Sequence, residues 1–368
     1  MYNYLITLTP TGRFFFGGDL TFSDGMDEYS KDFWKLKDNA RILAKKKIRH
    51  SSYIIHSETF PQQTSLLGML RFLILRNDSE AFDTAKQEIK DRWRAEELIG
   101  KKSFDASKSI GKFGQIKSLS HCFIQANKGG NWGNLSIAPK DARLGVDFSE
   151  FTAAFVNDWP VEIPKMDYNA KDGIETAYLC TCCGQETKES DIFQEDIRNG
   201  ISRDVVTGLT SDNALFKQVS YRLKEGYRFA FYAEVDFDIT GYNHQVVSVG
   251  ADSSQFIIGI EECKVAEKEN DQSGSKVILL SPAYIEDNDL KDVRFSITET
   301  IPFKCMKTTT QSAGPYSTNP QLSAKLFLYT PGSVFYFRSK EDAVSFTGKL
   351  KGHASFYQIG YNRFKITD

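Results

Sequence analysis

Three cysteines fall within four positions of this chain, in Leu179-Cys180-Thr181-Cys182-Cys183-Gly184-Gln185, and two of them have the spacing Cys-x-x-Cys-Gly. A tight turn of that kind points two thiolates at one ion, as in a zinc knuckle, but structural zinc needs four ligands. Cys180 and Cys183 supply half a site. The rest would come from Cys182, His121, Cys122, His244 or another distant residue; the competing reading is a set of unmetallated thiols. The other residues with chemistry to offer are cations beside glycines: Lys112 and Lys117 around Gly114, and Arg363 after Gly360. Glycine lets a backbone come close to a phosphate, and a neighbouring Lys or Arg neutralises the charge. An ordinary surface loop accounts for the same residues.

The five histidines (His50, His56, His121, His244, His353) form no visible acid/base constellation. Surface or satisfied core roles suit them, and the chain is expected not to be an enzyme. The rival is an endoribonuclease that works on a 2′-OH with a His or a Tyr/Lys pair.

Charge narrows the field further. Against 48 Asp+Glu stand 46 Lys+Arg, a formal net charge of −2 over 368 residues, so a uniformly basic RNA-coating protein is excluded and any polyanion must meet a local basic surface. The 40 % hydrophobic content suffices for two domain cores. The 28 Phe and 16 Tyr suit a strand-rich fold and can also stack on bases. No segment approaches the roughly 20 apolar residues of a membrane span, and the start lacks a charged n-region. The expectation is a cytoplasmic protein without membrane contact, its six cysteines reduced or metal-bound.

The elements that would position these residues follow from periodicity. Tyr2 to Leu8 alternate as a half-buried strand, and Pro10-Thr11-Gly12 turns the chain into Arg13. From Asp32 to His50, seven cations interleave with Trp34, Leu36, Ile42 and Leu43, which reads either as a solvated amphipathic helix or as a phosphate-facing stripe. Pro61 stops what precedes it, and Thr64 or Ser65 is expected to cap an apolar helix carrying Arg71, its N-terminus open to an anion. Gly68 inside that helix predicts a close approach of another backbone or ligand. A second charged helix is expected over 79–98, a turn cluster over Asn127 to Asn134, and a boundary between halves at Pro160 to Pro164. Residues 199–224 read as a long hairpin with Arg203 on one arm, Thr207 to Thr210 at its tip, and Tyr221 and Arg222 on the return. Strands are expected at Tyr227–Asp236, Phe256–Ile260 and Lys276–Ala283.

Taken in order, the first strand with Gly12-Arg13, Pro61-Gln62-Gln63-Thr64-Ser65-Leu66-Leu67-Gly68-Met69-Leu70-Arg71, Gly200-Ile201-Ser202-Arg203, Tyr221-Arg222-Leu223-Lys224-Glu225-Gly226, Leu328-Tyr329-Thr330-Pro331-Gly332-Ser333-Val334 and Ile359-Gly360-Tyr361-Asn362 resemble the third-subunit family of the Cmr (type III-B) CRISPR complex, in the RAMP superfamily. The blocks run in family order over nearly the whole chain. The resemblance implies an α+β fold of two ferredoxin-like (RRM-like, βαββαβ) domains. These are expected at 1–160 and 161–368, the second with a Cys-rich insertion (178–190) and a hairpin thumb (about 199–224). It implies a non-catalytic subunit for antiviral defence that binds the 5′ tag of crRNA and bridges the large Palm-domain subunit to the backbone RAMP subunits, meeting target RNA indirectly. No cofactor is required by it; structural zinc stays one reading of the cysteines. The residues expected to touch RNA are Arg13, Thr64, Arg71, Lys112, Lys117, Arg203, Tyr221, Arg222, Ser333, Tyr361 and Arg363, with Gly332 and Gly360 as turn formers. The last glycine loop departs from the family in being short.

Overall fold

Alternation in the first strand, Tyr2–Pro10, buries Tyr4, Ile6 and Leu8 on one face. That strand pairs antiparallel with Tyr227–Val235 on one side and Ser254–Glu262 on the other. In this computed structural model the described residues are 1–17, 53–106, 110–156, 159–167, 176–203, 210–250, 252–263, 274–307 and 321–368. The basic segment Asp32 to His50 and the hairpin tip at Thr207 to Leu209 lie outside them.

The first strand sits inside a nine-stranded sheet. Its path runs Glu186–Lys188, Ala177–Cys180, Asn131–Ile137, Phe123–Lys128, Tyr227–Val235, Tyr2–Pro10, Ser254–Glu262, Val246–Val249, with Ile116–Leu119 also paired to Tyr227–Val235. Pairing therefore crosses the boundary expected at 160, because residues 227–262 complete the sheet that residue 2 opens. Pro160 and Pro164 lie within the strand Trp159–Lys165, in a two-stranded ribbon with Asp147–Val156.

A second sheet of four antiparallel strands holds the C-terminal part, in the order Val293–Ile297, Val334–Phe337, Lys276–Leu279, Phe364–Thr367. The helix Lys340–Gly352 lies between its third and fourth strands in sequence, and a 3-10 turn, Asp287–Asp292, between its first and second. Ser339 caps the helix by accepting from the Asp342 N–H, and Glu341 and Asp342 sit in its first turn, where a carboxylate suits the helix dipole.

Each sheet has its own core, and the chain end joins them. Phe14, Phe16, Phe229 and Phe256 pack with Leu66 and Leu70 of the helix Gln63–Arg76 under the large sheet, whereas Val277, Leu279, Phe335 and Phe346 form the second cluster. Phe356, Ile359 and Tyr361 follow the second sheet's helix in sequence yet belong to the first core. Burying each such side chain is worth about 1.5–3 kcal/mol, so this turn welds the halves together.

Two helical expectations need correction. The helix Gln63–Arg76 is capped at Gln62 with no side-chain acceptor, since Thr64 Oγ1 turns back to Gln62 Oε1 at 3.4 Å. Its Gly68 is exposed and has nothing within 4 Å of where a Cβ would lie, so no close approach explains it. Over 79–98 there is a small hairpin, Phe82–Asp83 with Glu88–Ile89, before a short helix, Arg92–Ile99. The cause is local: Asp78 and Asp83 each accept the N–H groups two and three residues on, which competes with helix, and Asp91 then starts a new one. The hairpin is present, with arms Phe193–Arg203 and Thr210–Leu223, the return arm lying parallel to Tyr53–Glu58. Among the described residues no helix is long and apolar enough to cross a membrane.

Candidate nucleic-acid interface

The two sheets meet along a seam, and both glycine turns lie in it. Gly332 has φ +79, and a Cβ there would sit 2.9 Å from the Ala138 carbonyl; its own carbonyl accepts the Lys140 N–H at 2.8 Å. Gly360 has φ +93, and a Cβ there would overlap the Ser120 carbonyl. Only glycine lets these backbones close to this distance. Asn362, with φ +58 and fully buried, fixes the second turn: its side chain accepts from the Tyr284 N–H and donates to the carbonyls of Tyr284 and Leu350.

These contacts revise the reading of the turns as phosphate cradles. The N–H of Gly332 goes to Leu279 O, that of Ser333 to Thr330 O, that of Gly360 to Tyr357 O and that of Tyr361 to Phe356 O. Ser333 is 0 % exposed and the Tyr361 ring 1 %, enclosed by Phe104, Phe303 and Phe356. Gly332, Ser333, Gly360 and Tyr361 thus hold protein to protein. Arg71 is corrected likewise. It is buried, and it donates from Nε to Ile99 O at 2.9 Å and from a terminal nitrogen to Gly100 O at 3.2 Å, closing the end of the helix Arg92–Ile99. Burial pulls its pKa down to about 10.

What the turns enclose is more informative than the turns. One cavity of about 330 Å³ is lined by Glu58, Glu189, Glu299, Lys140 and Tyr178. Burial raises the Glu58 carboxyl, with Glu299 adding repulsion. Burial likewise raises Glu189, Glu58 adding to it against hydrogen bonds from Thr59 and Tyr178. Lys140 pairs with Glu299 at 2.8 Å. The second cavity, about 580 Å³, is lined on the C-terminal side by Tyr357, Arg363, Phe364 and Lys365, and on the large sheet by His121, Asn134 and Tyr232. There the Arg363 guanidinium lies 3.9 Å from the centre of the Tyr357 ring and donates to the carbonyls of Leu119 and Tyr357. A cation beside aromatic faces in a groove is what a single-stranded nucleic acid needs, charge for its phosphates and planes for its bases. Cys180 and Cys182 form part of the rim; hydrogen bonding from Cys182, its side chain first and its backbone next, pulls the Cys180 thiol down to about 6.

Of the residues expected to touch RNA, Arg363 lies in this cavity and the remaining cations lie elsewhere. Arg13 and Thr64 are half-buried and Lys112 is exposed. Lys117 pairs with Asp236 and donates to Gly114 O. Arg222 bonds Asp196 across the hairpin at 2.8 Å, and Tyr221 packs edge-on against Phe193. Arg203 closes the outgoing arm, with only its backbone described. Lys365, Tyr357, Phe364, Asn134 and Tyr232 were not named as contacts from sequence; the first three flank Arg363 in the chain, and only the folding of one sheet onto the other brings Asn134 and Tyr232 to them.

The family model for CRISPR-associated protein (Cas_Cmr3) matches residues 166–367, more than half of the chain. The chain belongs to the Cas_Cmr3 family. That bears out the resemblance read from the ordered blocks. The fold agrees: a chain from the cryo-EM structure of the type III-B Cmr-beta bound to cognate target RNA superposes with a TM-score of 0.51 at 14 % identity, over 99 % of this chain and 96 % of that one. A chain of the same complex bound to cognate target RNA and AMPPnP gives 0.50 at 13 % identity, over 98 % and 95 %. No curated protein matches the sequence. As in those chains, this Cas_Cmr3 family member has a mixed α+β, sheet-rich fold with few helices.

Proposed function

We propose that this chain is a non-catalytic subunit of a type III-B CRISPR effector, and that it holds the 5′ tag of the guide RNA in the Arg363 cavity. The observation that carries the reading is that cavity: about 580 Å³ between the two sheets, with Arg363 stacked on Tyr357 and Lys365 and Phe364 beside it. Family membership supplies the complex; the cavity supplies a place for a single strand. Arg13, Lys112 and Arg222 would extend the contact outside it, and the Phe193–Leu223 hairpin would act as the thumb at the tag–spacer junction.

The C-terminal sheet supports the ferredoxin-like expectation for that half. Numbered by chain order its strands lie 4-1-3-2, all antiparallel, with a helix before the fourth, as in a βαββαβ unit whose first helix has shrunk to a 3-10 turn. We read the remaining partners as the large Palm-domain subunit and the backbone RAMP subunits, bridged by this one, in the cytoplasm.

A filter-binding titration of the full chain with tag-bearing and tag-less single-stranded RNA, repeated over a range of salt, tests the proposal. Tag-bearing RNA is expected to bind more tightly, with affinity falling as salt rises, and Lys365→Ala is expected to flatten the salt dependence by about 0.7 in logarithmic slope. Equal, salt-independent binding of both RNAs would overturn it. Precursor guide RNA should stay intact during the same incubation; cleavage would contradict the non-catalytic reading.

A further inference from the structure

The cysteine segment is not absorbed by the RNA reading, and its structure goes further than its spacing. It forms the turn between Ala177–Cys180 and Glu186–Lys188, at one edge of the large sheet. The sulfurs of Cys180, Cys182 and Cys183 all lie within 4.8 Å of one another, and Cys180 and Cys182 are 3.0 Å apart. A tetrahedral zinc with bonds of about 2.3 Å holds its sulfurs roughly 3.8 Å from each other, a spacing inside the range these three sulfurs span.

Backbone hydrogen bonds hold the turn. The Cys180 N–H donates to Gln185 O at 2.9 Å, the Gly184 N–H to Cys180 O at 2.8 Å and the Thr181 N–H to Asn134 O at 2.9 Å, while Gly184 takes the left-handed φ of +68 that ends the knuckle. Three thiolates around a dication leave one negative charge, and the Lys128 ammonium stands 3.4 Å from Cys183 Sγ to meet it, held by Gln185 Oε1 at 2.8 Å.

The other donors the sequence offered divide clearly. His121 lines the same cavity as Cys180 and Cys182, whereas His244 lies beside Ser254–Glu262, towards the opposite edge of the sheet, and Cys122 lines the acidic cavity. We infer that Cys180, Cys182 and Cys183 form a three-thiolate zinc site at the rim of the Arg363 cavity, its fourth position facing that cavity. This inference is independent of the RNA reading, since a knuckle that pins the sheet edge would do so whatever the cavity binds.

The test is metal analysis of the full chain purified under reducing conditions, with cobalt(II) titration of the stripped protein. About one zinc per chain and a thiolate-to-cobalt charge-transfer band are expected. Cys182→Ser should weaken the ion by roughly 100-fold or more, beyond what loss of an outer partner costs, and Cys180→Ser with Cys183→Ser should abolish the band; Cys263→Ser should change neither. A wild-type chain with no zinc and no cobalt band would overturn the inference, as would wild-type affinity in Cys182→Ser. The cobalt titration of the wild-type chain decides the matter even where a variant fails to fold.

Discussion

The two cavities along the seam share His121, Phe123, Leu280 and the stretch Leu135 to Ile137, yet they carry opposite charge. On one side Glu58, Glu189 and Glu299 outnumber Lys140; on the other stand Arg363, stacked on the Tyr357 ring, and Lys365. With a net charge of −2 the chain has no general attraction for RNA, so selection between these neighbours is local. On the proposed reading, the carboxylates of the first cavity would disfavour a phosphate and the cations of the second would favour it. The glycine turns set this partition, because their close approach to Ala138 and Ser120 holds the sheets at the spacing both cavities need.

Breaking the seam should have the largest effect. Gly360→Ala forces a Cβ onto the Ser120 carbonyl at φ +93 and is expected to cost on the order of 3 kcal/mol in denaturant unfolding, with both cavities lost. Gly68→Ala is the counterpart: exposed in a helix with open space around it, it should stabilise by about 1 kcal/mol. Equal effects at the two glycines would refute the role given to the seam.

Arg71 separates structure from binding. Replacing it with Met strands the carbonyls of Ile99 and Gly100 in the interior and should cost about 2 kcal/mol of stability. RNA affinity, measured well below the melting temperature, should not change. A loss of affinity with stability intact would return Arg71 to the RNA site.

The smallest effect concerns pH. Glu58 and Glu189 hold their protons more tightly in the folded chain than at the ordinary carboxylate value of 4.5. The folded state therefore binds more protons than the unfolded one as pH climbs from that value, and stability must fall across the same interval. Glu58→Gln and Glu189→Gln should flatten this decline in denaturation midpoints taken from pH 4 upwards; an unchanged slope would show that the carboxyls are not held as described.

Much of the architecture was legible in the sequence. Period-two burial at Tyr4, Ile6 and Leu8 marks the first strand, and the strands near Tyr227, Phe256 and Lys276 and the hairpin return arm follow from the same signal. The segment 79–98 misled because its charge pattern is helical while Asp78 and Asp83 draw the N–H groups that a helix would use. The candidate site was less legible. Glycines that meet a phosphate and glycines that meet another backbone look alike in one dimension, and Gly332 and Gly360 prove to be the second kind. Arg363 was visible beside its turn, with Lys365 two residues on, but Asn134 and Tyr232 join them only through long-range pairing.

The central claim is that a single strand lies against Tyr357, Arg363 and Lys365. Ultraviolet cross-linking of the full chain to tag-bearing RNA, with the adducts mapped by mass spectrometry, measures it directly. Adducts are expected on Tyr357, Phe364 or Tyr232, with none on Phe60 or Tyr178 of the acidic cavity. Cross-links confined to the acidic cavity, or to surfaces away from the seam, would contradict the account.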